Sequence, residues 1–361
     1  MPPVGAYSWQ FGILQAALPQ GIGVGNIDAR PLAWHDLLTM YRFRNEVQCL
    51  DTALGLTRGN PIGPWAMLDY LHLENGKTTA VLRQGGGAPT LIGQMRYASG
   101  EQAAHLAFAL PAAGLNSPGV VNLVESLTRQ AGARGAYCLL AEAEEDSPIL
   151  EGLRRAGFSL YAWQRVWKIS PGLQPDSTTH LWKPADDLDA ITIRGLYQSL
   201  VPQLVQSAEP PLKDLGQGWV YADHDELLAF VSPTYGPQGI YLQPLIHPGV
   251  ESVETLLASL IGSLPMQFGR PVYLSVRSYQ AWLENALAGC GAKPAARQAL
   301  LVKHLAALQR MPAYAASRSA LEKQQPAMLE TTDQNGAIPL VQMQDHEPQL
   351  KKVAFEDPLH S

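Results

Sequence analysis

Two groups of residues in this 361-residue sequence have types and spacings suited to chemistry. The first is a set of bases. Glu142 and Glu144 stand at the end of the apolar run that begins at Gly135, and His105 stands within the apolar run Ala103 to Leu110. Each could accept a proton from an amine. The competing reading is structural: Glu142, Glu144, Glu145 and Asp146 form an acidic run of the kind that faces solvent, and a single His on a half-buried strand is commonly a hydrogen-bonded packing residue. The second group is a glycine-containing loop, Ala112-Ala-Gly-Leu-Asn-Ser-Pro-Gly119, that opens a helical stretch from Val120 to Ala131. Gly114 and Gly119 permit a tight turn there. The N–H groups of Gly119, Val120, Val121 and Asn122, at the start of a helix, then face outward as donors for an anion.

These residues need elements to hold them. Thr78 to Arg83, Thr90 to Tyr97 and Ala103 to Leu110 read as a meander of strands, the first two joined by Gln84-Gly-Gly-Gly-Ala-Pro89, whose glycines allow positive φ in a hairpin. Pro31 to Arg44 reads as an amphipathic helix, with a short strand at Ile27 to Arg30 before it. Asp51 to Pro64, rich in Gly and Pro, reads as loop. After the glycine loop and its helix, Gly135 to Ala141 reads as a buried strand, Pro148 to Arg155 as a helix, Ala156-Gly157-Phe158 as a turn and Leu160 to Ile169 as a closing strand.

The order recurs. Arg270 to Val276 reads as a strand, Tyr279 to Ala288 as a helix, Gly289-Cys-Gly291 as the turn and Arg297 to Leu305 as the closing strand. In this alignment Tyr137 matches Tyr273, Gly157 matches Gly291 and Lys168 matches Lys303. A repeat of this length is a whole domain, since solenoid units run to about 20–50 residues. The Pro, Gly and Ser content of Ser170 to Thr179 marks a linker between two halves.

This order of elements resembles the GCN5-related N-acetyltransferase (GNAT) family, over roughly residues 22–170. The resemblance implies an α+β fold, two tandem GNAT-like domains with a mixed, mostly antiparallel sheet flanked by helices. It implies that the fourth strand splays from the fifth and that acyl-CoA, acetyl-CoA above all, is the co-substrate lying in the gap. Phe108 and Leu110 on the fourth strand, with Gly114, Asn116, Gly119, Val120, Val121 and Asn122 in and after the loop, would then hold the cofactor. The family loop reads Gln or Arg, two residues, Gly, one residue, then Gly or Ala. Here it is Asn116-Ser-Pro-Gly-Val-Val121, in which Gly119 matches, Asn116 and Val121 depart, and Pro118 has no N–H to offer. The Tyr that many members place five residues before the Phe of Gly157-Phe158 is Leu153 here, which cannot transfer a proton. The activity implied is N-acyl transfer to a small-molecule or peptide amine by direct attack on the thioester; the alternative is a non-catalytic binding or scaffolding protein that kept the fold.

The second domain, over 179–310, resembles the same fold less closely. A strand at His180 to Trp182, a helix from Ile191 to Gln206 and strands at Gly218 to Ala222, Leu227 to Pro233 and Gly239 to Ile246 precede its helix from Val253 to Leu264. His247-Pro-Gly-Val-Glu-Ser252 is too short to cradle a pyrophosphate, and Glu251 and Glu254 would repel one. This half is read as a degenerate support.

Composition bounds the rest. Hydrophobic residues make up 46% and charged residues 16%, so most of the chain is globular. A net charge of −6 without a block of Lys and Arg argues against nucleic acid as a partner. Cys49, Cys138 and Cys290 are odd in number and widely spaced, as suits buried thiols in a reducing cytosol. The nine His residues show no metal-ligand spacing, so no metal is expected. No run reaches the ~20 apolar residues of a membrane span, and residues 1–21, an N-terminal segment, lack a basic signal-peptide start. A cytoplasmic location is expected. Gly21-Ile-Gly-Val-Gly25 lacks the third glycine of a dinucleotide fingerprint. Residues 313–361 read as a polar, disordered tail.

Overall fold

The computed structural model describes residues 29–63, 76–85, 89–169, 181–209, 215–224, 226–264 and 269–305. The chain divides into two compact units, Met1–Ala307 and Leu308–Ser361, and every described residue belongs to the first. The N-terminal segment, the Gly21 to Gly25 run, the Ser170 to Thr179 linker and the tail lie outside the described residues.

Each half begins with a short strand and two helices. In the first half these are β1 (Arg30–Pro31), α1 (Asp36–Arg42), β2 (Gln48–Cys49) and α2 (Thr52–Arg58). The meander β3 (Lys77–Leu82), β4 (Leu91–Arg96) and β5 (Ala103–Leu110) follows, then α3 (Gly119–Ala133), β6 (Cys138–Glu144), α4 (Pro148–Arg155) and β7 (Ser159–Ile169). The second half has β8 (Lys183–Pro184), α5 (Ala190–Leu200), α6 (Gln203–Ala208), β9 (Trp219–Asp223), β10 (Glu226–Tyr235) and β11 (Ile240–Ile246). It closes with α7 (Val253–Ser263), β12 (Val272–Arg277), α8 (Leu283–Gly289) and β13 (Lys293–His304). Pro202 splits the expected Ile191 to Gln206 helix in two, because its ring cannot continue an α-helix. The Asp51 to Pro64 stretch, expected as loop, contains α2. Asp51 starts that helix by accepting a hydrogen bond from the Leu54 N–H, and Gly59 at φ 81° ends it.

Among the described residues all thirteen strands form one sheet, in the order β1-β3-β4-β5-β6-β13-β7-β12-β11-β10-β9-β8 with β2 paired to β5. The closing strands are exchanged. β13, the last strand of the second half, lies between β6 and β7 of the first, and β7 lies between β13 and β12 of the second. Counting each closing strand in its place, both halves have the same strand order. Their relation is a local dyad through the Gln164↔Gln298 pair: Arg165↔Arg297 maps onto Trp163↔Ala299, and Lys168↔Lys293 onto Ser159↔Val302.

The register corrects two of the matches expected from sequence. Lys168 is the dyad mate of Val302, not Lys303, and since Leu140 pairs with Val302 and Tyr273 with Lys168, Tyr273 is the mate of Leu140, not Tyr137. Tyr137 lies before β6 and is exposed. Gly157 and Gly291 do correspond. Both carry positive φ, 86° and 74°, and both end a helix so that the next N–H reaches back: Phe158 to the Leu153 carbonyl and Ala292 to that of Leu287.

Strand alternation sends the core to two faces. On one, α3 and α4 bury Leu123, Leu127 and Leu153 against Leu106, Leu139 and Leu301, while α7 and α8 bury Leu256, Leu260 and Leu287 against Trp167 and Leu274. On the other, α5 and α6 place Ile193, Leu196 and Val205 over Leu140, Leu300 and Val302, and Met40 of α1 meets Val81, Ile92 and Phe108. Each such side chain removed from water contributes about 1.5–3 kcal/mol. Leu301 and Leu300 therefore tie the second half's last strand into cores on both sides of the sheet.

Candidate active site

β5 and β6 run parallel for three residue pairs, Ala103↔Cys138 to His105↔Leu140, and then part. Past that point the backbone of Leu50 bridges them. Its N–H donates to the Ala107 carbonyl and its carbonyl accepts from the Glu142 N–H, each at 2.9 Å, while Gln48 and Cys49 pair with Ala109 and Phe108. Asp51 pins the segment through Arg96 at 2.6 Å. The separation expected between the fourth and fifth strands is thus present, and the chain's own residues 48–50 lie in it.

Beside this wedge opens a cleft of about 630 Å³, walled by residues 44–61 and floored by Glu142, Glu144 and Gln298. The last two even positions of β6, Glu142 and Glu144, face it, while Cys138 and Leu140 lie under α5 and α6 and the odd positions under α3 and α4. Glu142 is held from one side. Its Oε2 accepts from the Thr52 N–H and from Gln164 Nε2, each at 3.0 Å. Burial pushes its carboxyl up from the usual glutamate range, the charge of Asp51 adds to this, and Arg277 and the Thr52 hydrogen bonds oppose it. A carboxylate raised in this way takes a proton more readily than a solvated one. Cys49 also lines the cleft, but burial raises its thiol to about 11, which removes it as a nucleophile.

The other sequence candidates are dispersed. His105 sits where β5 and β6 still pair, outside the cleft lining, and burial lowers its pKa. Phe108 and Leu110 are fully buried, and the Phe108 position is paired to β2. The expectation that the N–H groups of Val120 and Val121 stand free is corrected: they donate to the Ser117 and Pro118 carbonyls, tightening the first turn. Gln84 lies across the loop, donating to Ser117 Oγ and the Pro89 carbonyl, and a Cβ at Gly119 would come within 2.5 Å of Gln84 Oε1. Gly114 is buried and Asn116 exposed, its carbonyl accepting from Arg155 at 3.4 Å. Leu153 is fully buried. Sequence reasoning missed Thr52, Gln164 and Gln298. A signal existed, since Gln164 and Gln298 stand at the same distance after Gly157 and Gly291.

Among the described residues no group of His, Cys, Asp and Glu could hold a metal, and no helix is long and apolar enough to cross a membrane. The architecture, a mixed sheet flanked by helices and built of two halves of the same strand order, the first with a splayed pair of strands, is GNAT-like. No family profile and no curated protein matches the sequence. Solved structures with a similar chain course include a GCN5-related N-acetyltransferase from Sphaerobacter thermophilus, at 13% identity and a TM-score of 0.48 over 76% of this chain and 95% of that one. A tandem GNAT protein from the clavulanic acid biosynthesis pathway has 15% identity and a TM-score of 0.46 over 77% and 98%. A GNAT-family acetyltransferase from Colwellia psychrerythraea has 11% and 0.39 over 77% and 100%.

Proposed function

We propose that the first half binds a small amine in the Glu142 cleft and that Glu142 takes a proton from it, the acceptor side of an N-acyl transfer. One observation carries this reading: a carboxylate raised by burial, anchored through one oxygen, on the floor of a cleft that opens beside the splayed strands of a GNAT-like half. Deprotonation by Glu142 leaves the nitrogen lone pair free to attack an acyl carbon, and the proton resides on the carboxyl.

Acyl-CoA is the donor the resemblance implies, and the residues present do not fit it as they stand. Leu50 already satisfies the facing backbone groups of β5 and β6, and Gln84 covers the loop whose amides would meet the pyrophosphate. That misfit favours a second reading, a binding or scaffolding protein that kept the fold and lost the chemistry.

Calorimetry with acetyl-CoA, paired with thiol release over a panel of amines and peptides, separates the two. The transferase reading expects binding and turnover, with turnover lost in Glu142→Gln. The scaffolding reading expects neither. Replacing Gly119 with Glu should abolish any acetyl-CoA binding and Gly249→Glu should spare it; the reverse would assign the donor to the second half.

A further inference from the structure

The amide network around Glu142 fixes orientations that individual amides do not. Ionised Glu142 can only accept, so the end of Gln164 that meets it at 3.0 Å is the Nε2 donor. The same Nε2 lies 2.8 Å from Gln298, whose facing atom must therefore be its Oε1. Thr52 Oγ1, 3.1 Å from that oxygen, donates to it as well. Two donors on Oε1 leave the Nε2 of Gln298 without a partner among the described residues, on a side chain that lines the cleft. This ordering has a cost: Gln164 Oε1 is buried with no hydrogen bond. An unsatisfied amide at the dyad of a well-packed sheet calls for an explanation.

We propose that Gln298 is the hydrogen-bond donor of the cleft, supplied to the first half's site by the second half's closing strand and held in orientation by ionised Glu142 through Gln164. Gln164 is a positioning residue, and Gln298 the group that meets a bound molecule's acceptor oxygen. When Glu142 takes a proton its hydroxyl can donate to Gln164 Oε1, which satisfies the buried oxygen once the amide turns over. Gln164 Nε2 then leaves Gln298 Oε1, and the lock on Gln298 is released. The Asp51 charge beyond β2 raises the Glu142 carboxyl and Arg277 on β12 lowers it, while Cys49, Tyr161 and Tyr241 on β2, β7 and β11 are themselves raised by the Glu142 charge. The chemistry rests on the transferase reading; the orientation does not.

The test uses the full chain labelled with ¹⁵N-glutamine and follows side-chain amide resonances from pH 5 to 9. Those of Gln164 and Gln298, assigned by their loss in Gln164→Leu and Gln298→Leu, should shift together with one midpoint, and Glu142→Gln should abolish that midpoint. Gln298→Met and Gln164→Met serve if a leucine variant fails to fold. Absence of a shared midpoint, or its persistence in Glu142→Gln, overturns the proposal whether or not the protein turns over acyl-CoA. Where thiol release is measurable, Gln298→Leu should lower kcat about 10²-fold, as loss of one aimed donor does, and an unchanged kcat overturns the donor role. A wild type with no turnover but a shared midpoint sinks the transferase reading and leaves the oriented donor standing.

Discussion

Replacing Leu301 with Ala, in the last strand of the second half, should destabilise the first half as much as the second. Leu301 is fully buried, opposite Ala141 of β6, in the same core as Leu139 and Leu153. Truncation removes the transfer free energy of its side chain and leaves a cavity that a sheet strand paired on both edges cannot collapse, so the cost is set at about 3 kcal/mol. If the two halves unfold as one body, that cost belongs to a single transition. With a urea m-value of about 3 kcal/mol/M for a unit of this size, the midpoint should fall by about 1 M with the slope unchanged. The assay is urea unfolding followed at once by tryptophan fluorescence and far-ultraviolet circular dichroism, where coincident curves report one transition. The strand-exchange argument is refuted if the curves are biphasic and only one phase moves, or if a chain ending at residue 170 shows a cooperative transition of its own.

Four other outcomes follow from the geometry. Glu142 has a raised folded-state pKa, so its contribution to stability is present at low pH and lost as pH rises through that value; Glu142→Gln should therefore raise Tm at pH 8, with a gain that shrinks towards pH 4.5. Asp36 is held down to about 2 by hydrogen bonds from Arg30, which gives the opposite sign: Asp36→Asn should cost about 1 kcal/mol at pH 7, discounted because Arg30 is partly exposed, and nothing at pH 2 by chemical denaturation. Gly236→Ala would bring a Cβ within 2.3 Å of the Thr57 carbonyl oxygen, so the variant should lose about 1–3 kcal/mol in calorimetric melting. Leu50→Pro removes the N–H that bridges to Ala107 and should lower Tm by several degrees; an unchanged Tm would show that the bridge across the splayed strands carries no stability.

The parts of the fold that depend on local pattern were readable before the structure. β5 spans Ala103–Leu110 as its apolar run implies, and Gly157 and Gly291 announce helix ends because only glycine takes positive φ there without strain. The repeat of the halves could be read from the same signals. The exchange of β7 and β13 could not, because both are apolar strands and nothing local distinguishes one neighbour from another. Matching by residue identity pairs Tyr137 with Tyr273, although strand register puts Tyr273 opposite Lys168 and leaves Tyr137 before β6. α2 was hidden by Gly55 and Gly59, although its Asp51 cap was visible. Of the site, Glu142 and Glu144 were legible as carboxylates ending a strand, whereas the occupation of the wedge by Leu50 is a tertiary event with no sequence mark.

The placement of β13 also sets a timetable. A ribosome releases β6 and β7 long before the strand that separates them exists, and at roughly 5–20 residues per second the interval is on the order of ten seconds. For that time the edges of β6 and β7 that β13 will occupy have no strand paired to them. Such edges recruit whatever strand is nearest. Two nascent chains on one message could each supply the strand the other awaits, so the same topology that welds the finished molecule makes its birth sensitive to crowding by copies of itself.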